Sequence, residues 1–107
     1  MKQFITVIGA VCIYAFCAQP IWAEEYEVGQ KDKAFSTQEL TIKTGDIVNF
    51  KNNDTFFHNI FSLSDAATFD LGSYPKGEFK GFKFDAVGVV EVECAIHPDM
   101  QMTIKIE

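Results

Sequence analysis

The sequence predicts an all-β protein, a Greek-key β-sandwich of about seven or eight strands. Three observations carry that expectation. No helical periodicity persists after residue 23, short segments alternate apolar with polar residues, and clusters of Gly, Asn, Asp and Pro punctuate them.

The strands follow in order. Tyr26 to Gln30 is the first candidate, ended by the solvated break Lys31-Asp32-Lys33. Glu39 to Lys43 places Leu40 and Ile42 on one face and stops at Gly45-Asp46. Ile47 to Lys51 follows and ends in the turn cluster Asn52-Asn53-Asp54. If Thr55 to Phe61 is extended, Phe56, His58 and Ile60 share one side. Residues 62–80 show no clear period; they read as a long crossover with one helical turn at Ala66 to Phe69. Gly81 to Asp85 turns Phe82 and Phe84 inward. Val89 to Glu93 then turns Val90 and Val92 to the face on which Cys94 falls, with Glu91 and Glu93 opposite. Met102 to Ile106 is the last strand, so the loop that follows Cys94 joins two neighbours.

Residues 1–23 have the pattern of a secretory signal removed before Glu24: Lys2 at the start, an apolar run from Phe4 to Cys17, and small Ala23 at the end. The run is shorter than the ~20 apolar residues a spanning helix needs. The expectation is therefore a periplasmic protein with no membrane insertion after cleavage, its folded domain being residues 24–107. Removal of Lys2 leaves eight lysines against fifteen carboxylates, a net charge of −7 with no arginine. That balance excludes nucleic acid as a partner and favours a basic protein reached by electrostatic steering.

Cleavage also removes Cys12 and Cys17, leaving Cys94 as the lone cysteine. A lone thiol in an oxidising compartment is a liability unless it is buried or bound to a metal. Cys94 opens the run Cys94-Ala95-Ile96-His97-Pro98-Asp99-Met100, which gathers a thiol, an imidazole and a thioether, and the chain's other histidine, His58, lies in an apolar run upstream. Cys94, His58, His97 and a weak axial Met100 form the donor set of a copper site: soft sulfur ligands suit Cu(I) and imidazole tolerates Cu(II). Met102 is the rival thioether, but it shares parity with Ile104 and Ile106 and belongs to the core. Zinc accepts Cys and two His; a thioether is an odd fourth ligand for it.

His58-Asn59 followed by Cys94-x-x-His97-x-x-Met100, with Pro98 directly after the second His, resembles the cupredoxins, the small blue copper proteins. The two-residue gap between His97 and Met100 is similar to the short ligand loop of amicyanin, and the paired strands around Gly45-Asp46 resemble those that precede the first His in this group. The resemblance spans residues 35–107. It implies one type 1 copper ion, with His58, Cys94 and His97 as strong ligands and Met100 as the axial one, and Asn59 hydrogen-bonded across to the ligand loop. It further implies a non-enzymatic, monomeric one-electron carrier that passes electrons between redox proteins such as a periplasmic dehydrogenase and a c-type cytochrome. A copper carrier or resistance protein using the same ligands is the alternative. Ala95 and Ile96 depart from the group's frequent Thr or Ser and Pro.

Overall fold

A computed structural model describes residues 23–107, so nearly all of the expected signal, residues 1–23, lies outside the described residues. Nine strands follow one another: β1 Glu25–Lys31, β2 Ala34–Phe35, β3 Glu39–Ile42, β4 Ile47–Asn52, β5 His58–Ser64, β6 Ala67–Tyr74, β7 Phe79–Lys83, β8 Gly88–Cys94 and β9 Gln101–Ile106. They form a five-stranded sheet in the order β3-β9-β8-β5-β6 and a four-stranded sheet in the order β2-β1-β4-β7. β3 runs parallel to β9 and β1 parallel to β4; the other pairings are antiparallel. The architecture is the expected sandwich, with nine strands rather than seven or eight. The additions are the two-residue β2, too short to show a period, and β6.

The core lies between the sheets and is built by the alternation visible in the sequence. Val28, Ile42, Val48, Phe50, Ile60, Phe84, Val90, Val92 and Ile104 are buried, whereas Glu91 and Lys105 face solvent. Each fully buried side chain of this kind stabilises the fold by about 1.5–3 kcal/mol relative to an exposed one. Phe69, Phe82 and Phe84 pack on one another, Phe69 and Phe82 stacked at 4.3 Å between centroids. Asp46 fastens the end where the described chain begins: its carboxylate accepts N–H bonds from Glu24 at 3.0 Å and Lys43 at 2.8 Å. Those bonds hold its pKa below the usual carboxylate range.

Residues 62–80 are corrected by the structure. They hold no helical turn; β5 and β6 form a hairpin through Asp65-Ala66, with Ser64 paired to Ala67. The register shifts between Asn59 and Phe61, where Ser73 faces Asn59 but Asp70 faces Phe61. This bulge places Gly72 at φ 76° and interrupts the two-residue alternation that would have marked the strand. Asp32 and Lys33, the break after β1, are both left-handed, at φ 56° and 59°. For residues with a Cβ that conformation costs roughly 1–2 kcal/mol each.

Candidate metal centre

One end of the sandwich gathers the chemistry. His58 opens β5, Cys94 closes β8, and the β8–β9 loop carries His97 and Met100. Because β5 and β8 are neighbours, with Ile60 opposite Cys94, the two inward residues meet at the sheet's end. His58 is fully buried and Cys94 is 2 % exposed. The Cys94 Sγ stands 3.6 Å from His58 Nδ1 and 3.7 Å from His97 Nδ1, and the three donor atoms all lie within 4.8 Å of one another. Metal bonds of roughly 2.0 Å to nitrogen and 2.3 Å to sulfur, the lengths known for zinc, would at about 120° separate the two donors by about 3.7 Å. The group therefore fits a single ion without rearrangement. A thiolate with two imidazoles is a set that copper accepts in both oxidation states.

Backbone bonds stitch the halves together. The Asn59 N–H donates to Cys94 Sγ at 3.4 Å, and the Ala95 N–H donates to the Asn59 carbonyl at 2.9 Å. Asn59 thus bonds across to the ligand loop as expected, but through its main chain. Its side-chain amide turns away and donates to Asp70 Oδ1 at 2.8 Å, because the bulge brings Asp70 alongside. The Met100 N–H donates to the His97 carbonyl at 2.9 Å, closing the loop on itself. Met100 is buried in the core cluster that includes Cys94; Met102 is buried on β9 opposite Val92.

His58 is held from behind. Its Nε2 lies 2.7 Å from Asp54 Oδ2, so the proton sits on Nε2 and the Nδ1 lone pair faces Cys94. Asp54 is itself buried and also accepts N–H bonds from Asp32 at 2.7 Å and Lys33 at 3.2 Å. Burial raises the Asp54 pKa, but the His58 bond and the two backbone donors outweigh it and hold the carboxyl below its usual range.

Beneath lies a buried polar layer. Asn52 Nδ2 donates to the carbonyls of Phe56 and Tyr74, the Tyr74 hydroxyl donates to the Phe50 carbonyl, and Gln30 Nε2 donates to Tyr74. Burial pushes the Tyr74 phenol up to about 12. Asp54, Asn52 and Gln30 were not singled out by the sequence, where Asn52-Asn53-Asp54 reads as an ordinary turn. The one available signal was the carboxylate four residues before His58.

His97 is partly exposed among apolar and charged neighbours. Phe56 packs 5.3 Å from His58 and 5.2 Å from His97, between ring centroids. Ile96 is 50 % exposed next to His97, and Lys33, Ile96, His97, Pro98 and Asp99 line a surface depression. Burial, the neighbouring His58 and the Lys33 ammonium push the His97 pKa below the ordinary imidazole value, with Asp54 acting against them.

Fold and donor set together define a small copper-binding β-sandwich. The profile of the copper-binding proteins of the plastocyanin/azurin family matches residues 23–107. The chain belongs to that family, and copper is its metal. No curated protein matches the sequence at a significant level. Among solved structures, the copper-containing nitrite reductase of Thermus scotoductus SA-01 is similar at TM-score 0.74 and 23 % identity, over 85 % of this chain; the chain spans 26 % of that reductase. A reduced tryptophan-to-tyrosine variant of amicyanin is similar at TM-score 0.73 and 22 % identity, covering 81 % of this chain and 86 % of amicyanin. A methionine-to-alanine amicyanin variant in its Cu(I) form gives TM-score 0.72 and 21 % identity over 85 % and 88 %. At these identities the likeness concerns the fold.

Proposed function

We propose that this protein is a periplasmic, monomeric one-electron carrier, exported by a signal at residues 1–23 and folded as residues 24–107. In this reading His58, Cys94 and His97 would hold a single type 1 copper ion, with Met100 as a weaker fourth donor. The observation that carries it is the arrangement of the three donors: two are buried and locked by backbone and Asp54, and the third reaches the surface beside Phe56, Ile96 and Pro98. Bound copper supplies the electron by alternating between Cu(I) and Cu(II). The chain's residues do the rest. Asp54 and the Asn59 N–H fix the ring and the sulfur so that little moves between states, which keeps the barrier to transfer low. The partly exposed His97 edge, with Phe56, Ile96 and Pro98 around it, offers a small dry contact to a redox partner such as a c-type cytochrome or a periplasmic dehydrogenase. A small apolar contact suits a short-lived complex. This chain spans only 26 % of the nitrite reductase neighbour, and the carrier reading assigns this chain no turnover of its own.

Adding Cu(II) to the mature protein tests the assignment. An intense visible thiolate band with a type 1 EPR signal is expected, lost in Cys94→Ser; a colourless complex would sink the reading. Copper delivery would use the same ligands, and it is distinguished by transfer of Cu(I) to a competing apoprotein within minutes, whereas the enclosed His58 and Cys94 favour retention.

A further inference from the structure

The β1–β2 turn contributes no metal donor, yet two of its backbone groups end on the carboxylate that touches His58. Asp32 and Lys33 both adopt left-handed conformations that favour glycine or asparagine. Asp tolerates it and Lys does so less readily, and the two-residue hairpin loop demands this conformation at both positions. It points two consecutive N–H groups at one carboxylate: Asp32 N–H to Oδ1 at 2.7 Å and Lys33 N–H to Oδ2 at 3.2 Å. The same Oδ2 receives His58 Nε2 at 2.7 Å. A carboxylate gripped at both oxygens cannot rotate about its terminal torsion, so the direction in which it accepts the imidazole proton is set by the turn. The other end of Asp54 is also fixed, its N–H donating to Asn52 Oδ1 at 2.8 Å. β2 pairs with β1 only through Gln30 with Phe35 and Lys31 with Ala34, which places the turn where those N–H groups can reach.

We propose that the Asp32-Lys33 turn is a positioning element for the buried imidazole: it orients Asp54, and Asp54 holds His58 with Nδ1 aimed at Cys94 before any metal arrives. This rests on the copper reading for its purpose, but the preorganisation itself belongs to the metal-free protein. The residues act through one another in series, turn to carboxylate to ring, and series coupling has a signature that independent stabilising contacts lack: once the carboxylate is gone, disturbing the turn has no further effect on the ring.

The experiment compares three variants with the parent: a glycine inserted between Asp32 and Lys33, Asp54→Ala, and both together. A one-residue insertion in a surface hairpin loop is thermodynamically mild. In the metal-free proteins, nitrogen NMR of His58 reads its tautomer and the solvent exchange of its Nε2 proton. Cu(II) affinity is measured in parallel. The insertion is expected to speed that exchange and to weaken Cu(II) binding roughly tenfold, as loss of a ligand-orienting bond does. Asp54→Ala should do the same, and the combination should go no further than Asp54→Ala alone. Parent-like exchange and affinity in the insertion variant would overturn the proposal, and so would additive effects in the combination. Should the insertion unfold the protein, Asp32→Asn with Lys33→Gly decides: it keeps both N–H groups in residues that prefer this turn, so a loosened His58 there also overturns it. Because the NMR arm needs no metal, failure of the copper reading and failure of this one are separately visible.

Discussion

At the scale of single residues the two methionines make the sharpest contrast. Both are buried, Met100 at 1 % and Met102 at 2 % exposure, and both are thioethers near the same end of the fold. Met102 sits in β9 opposite Val92 and keeps the inward parity of Ile104 and Ile106, so its side chain is part of the sandwich core. Met100 lies in the loop, its N–H tied to the His97 carbonyl. Replacing the thioether by an apolar group removes one electron donor and makes the pocket drier, which costs the doubly charged ion more than the singly charged one. Met100→Leu should therefore keep copper while raising the midpoint potential. Met102→Leu should leave the potential alone and change stability by less than about 1.5 kcal/mol, as volume-conserving core swaps do. Voltammetry of the two variants checks this, and a potential that moves only in Met102→Leu would reassign the axial ligand.

At the scale of elements the fold depends on close approaches that only small residues permit. Gly88 begins β8 at φ 151°, and a Cβ there would stand 2.8 Å from the Cβ of Ala66 in the β5–β6 turn. Gly88→Ala should cost about 1–3 kcal/mol by overpacking, read as a lower urea midpoint. It should leave the copper spectrum unchanged, because Gly88 and Cys94 are opposite ends of one strand; an unaffected midpoint would show that the hairpin gives way freely. This contact joins the two segments that differ most in legibility. β8 was readable because Val90, Val92 and Cys94 keep strict alternation against Glu91 and Glu93, and the same regularity placed Cys94 inward beside His97. β6 was not, since the bulge opposite Ile60 breaks its period and Gly72 reads as a turn. The cluster of His58, Cys94 and His97 was legible as residue types at characteristic spacings. The support for His58 was not, because Asp54 and the Asp32-Lys33 backbone come together only through the pairing of β1 with β4, which no local pattern records.

At the scale of the whole molecule, charge and chemistry occupy different surfaces. Around His97 apolar Ile96 and Pro98 alternate with one charge of each sign, Lys33 and Asp99, which nearly cancel. Acid accumulates instead on the outer face of the five-stranded sheet, where Glu39 and Glu91 both face Thr103 in register and Glu93 and Asp70 flank Phe61. Single cations, such as Lys105 3.6 Å from Glu39, offset this only in part. Charges that lie beside a contact rather than within it act mainly on encounter, since they draw the partner in without being desolvated in the complex. With a cationic c-type cytochrome as acceptor, the second-order rate of electron transfer should fall roughly tenfold between about 0.01 and 0.15 M salt, as the screening length shrinks from about 30 to 8 Å. Glu91→Lys should slow the low-salt rate and flatten its salt dependence, converging on the parent at high salt. The midpoint potential should stay where it was, because the Glu91 side chain points away from Cys94. Stopped-flow kinetics across that salt range separates the possibilities: a rate indifferent to salt in the parent would mean the rim around His97 alone governs association, and a Glu91→Lys effect that persists at high salt would place that residue inside the contact.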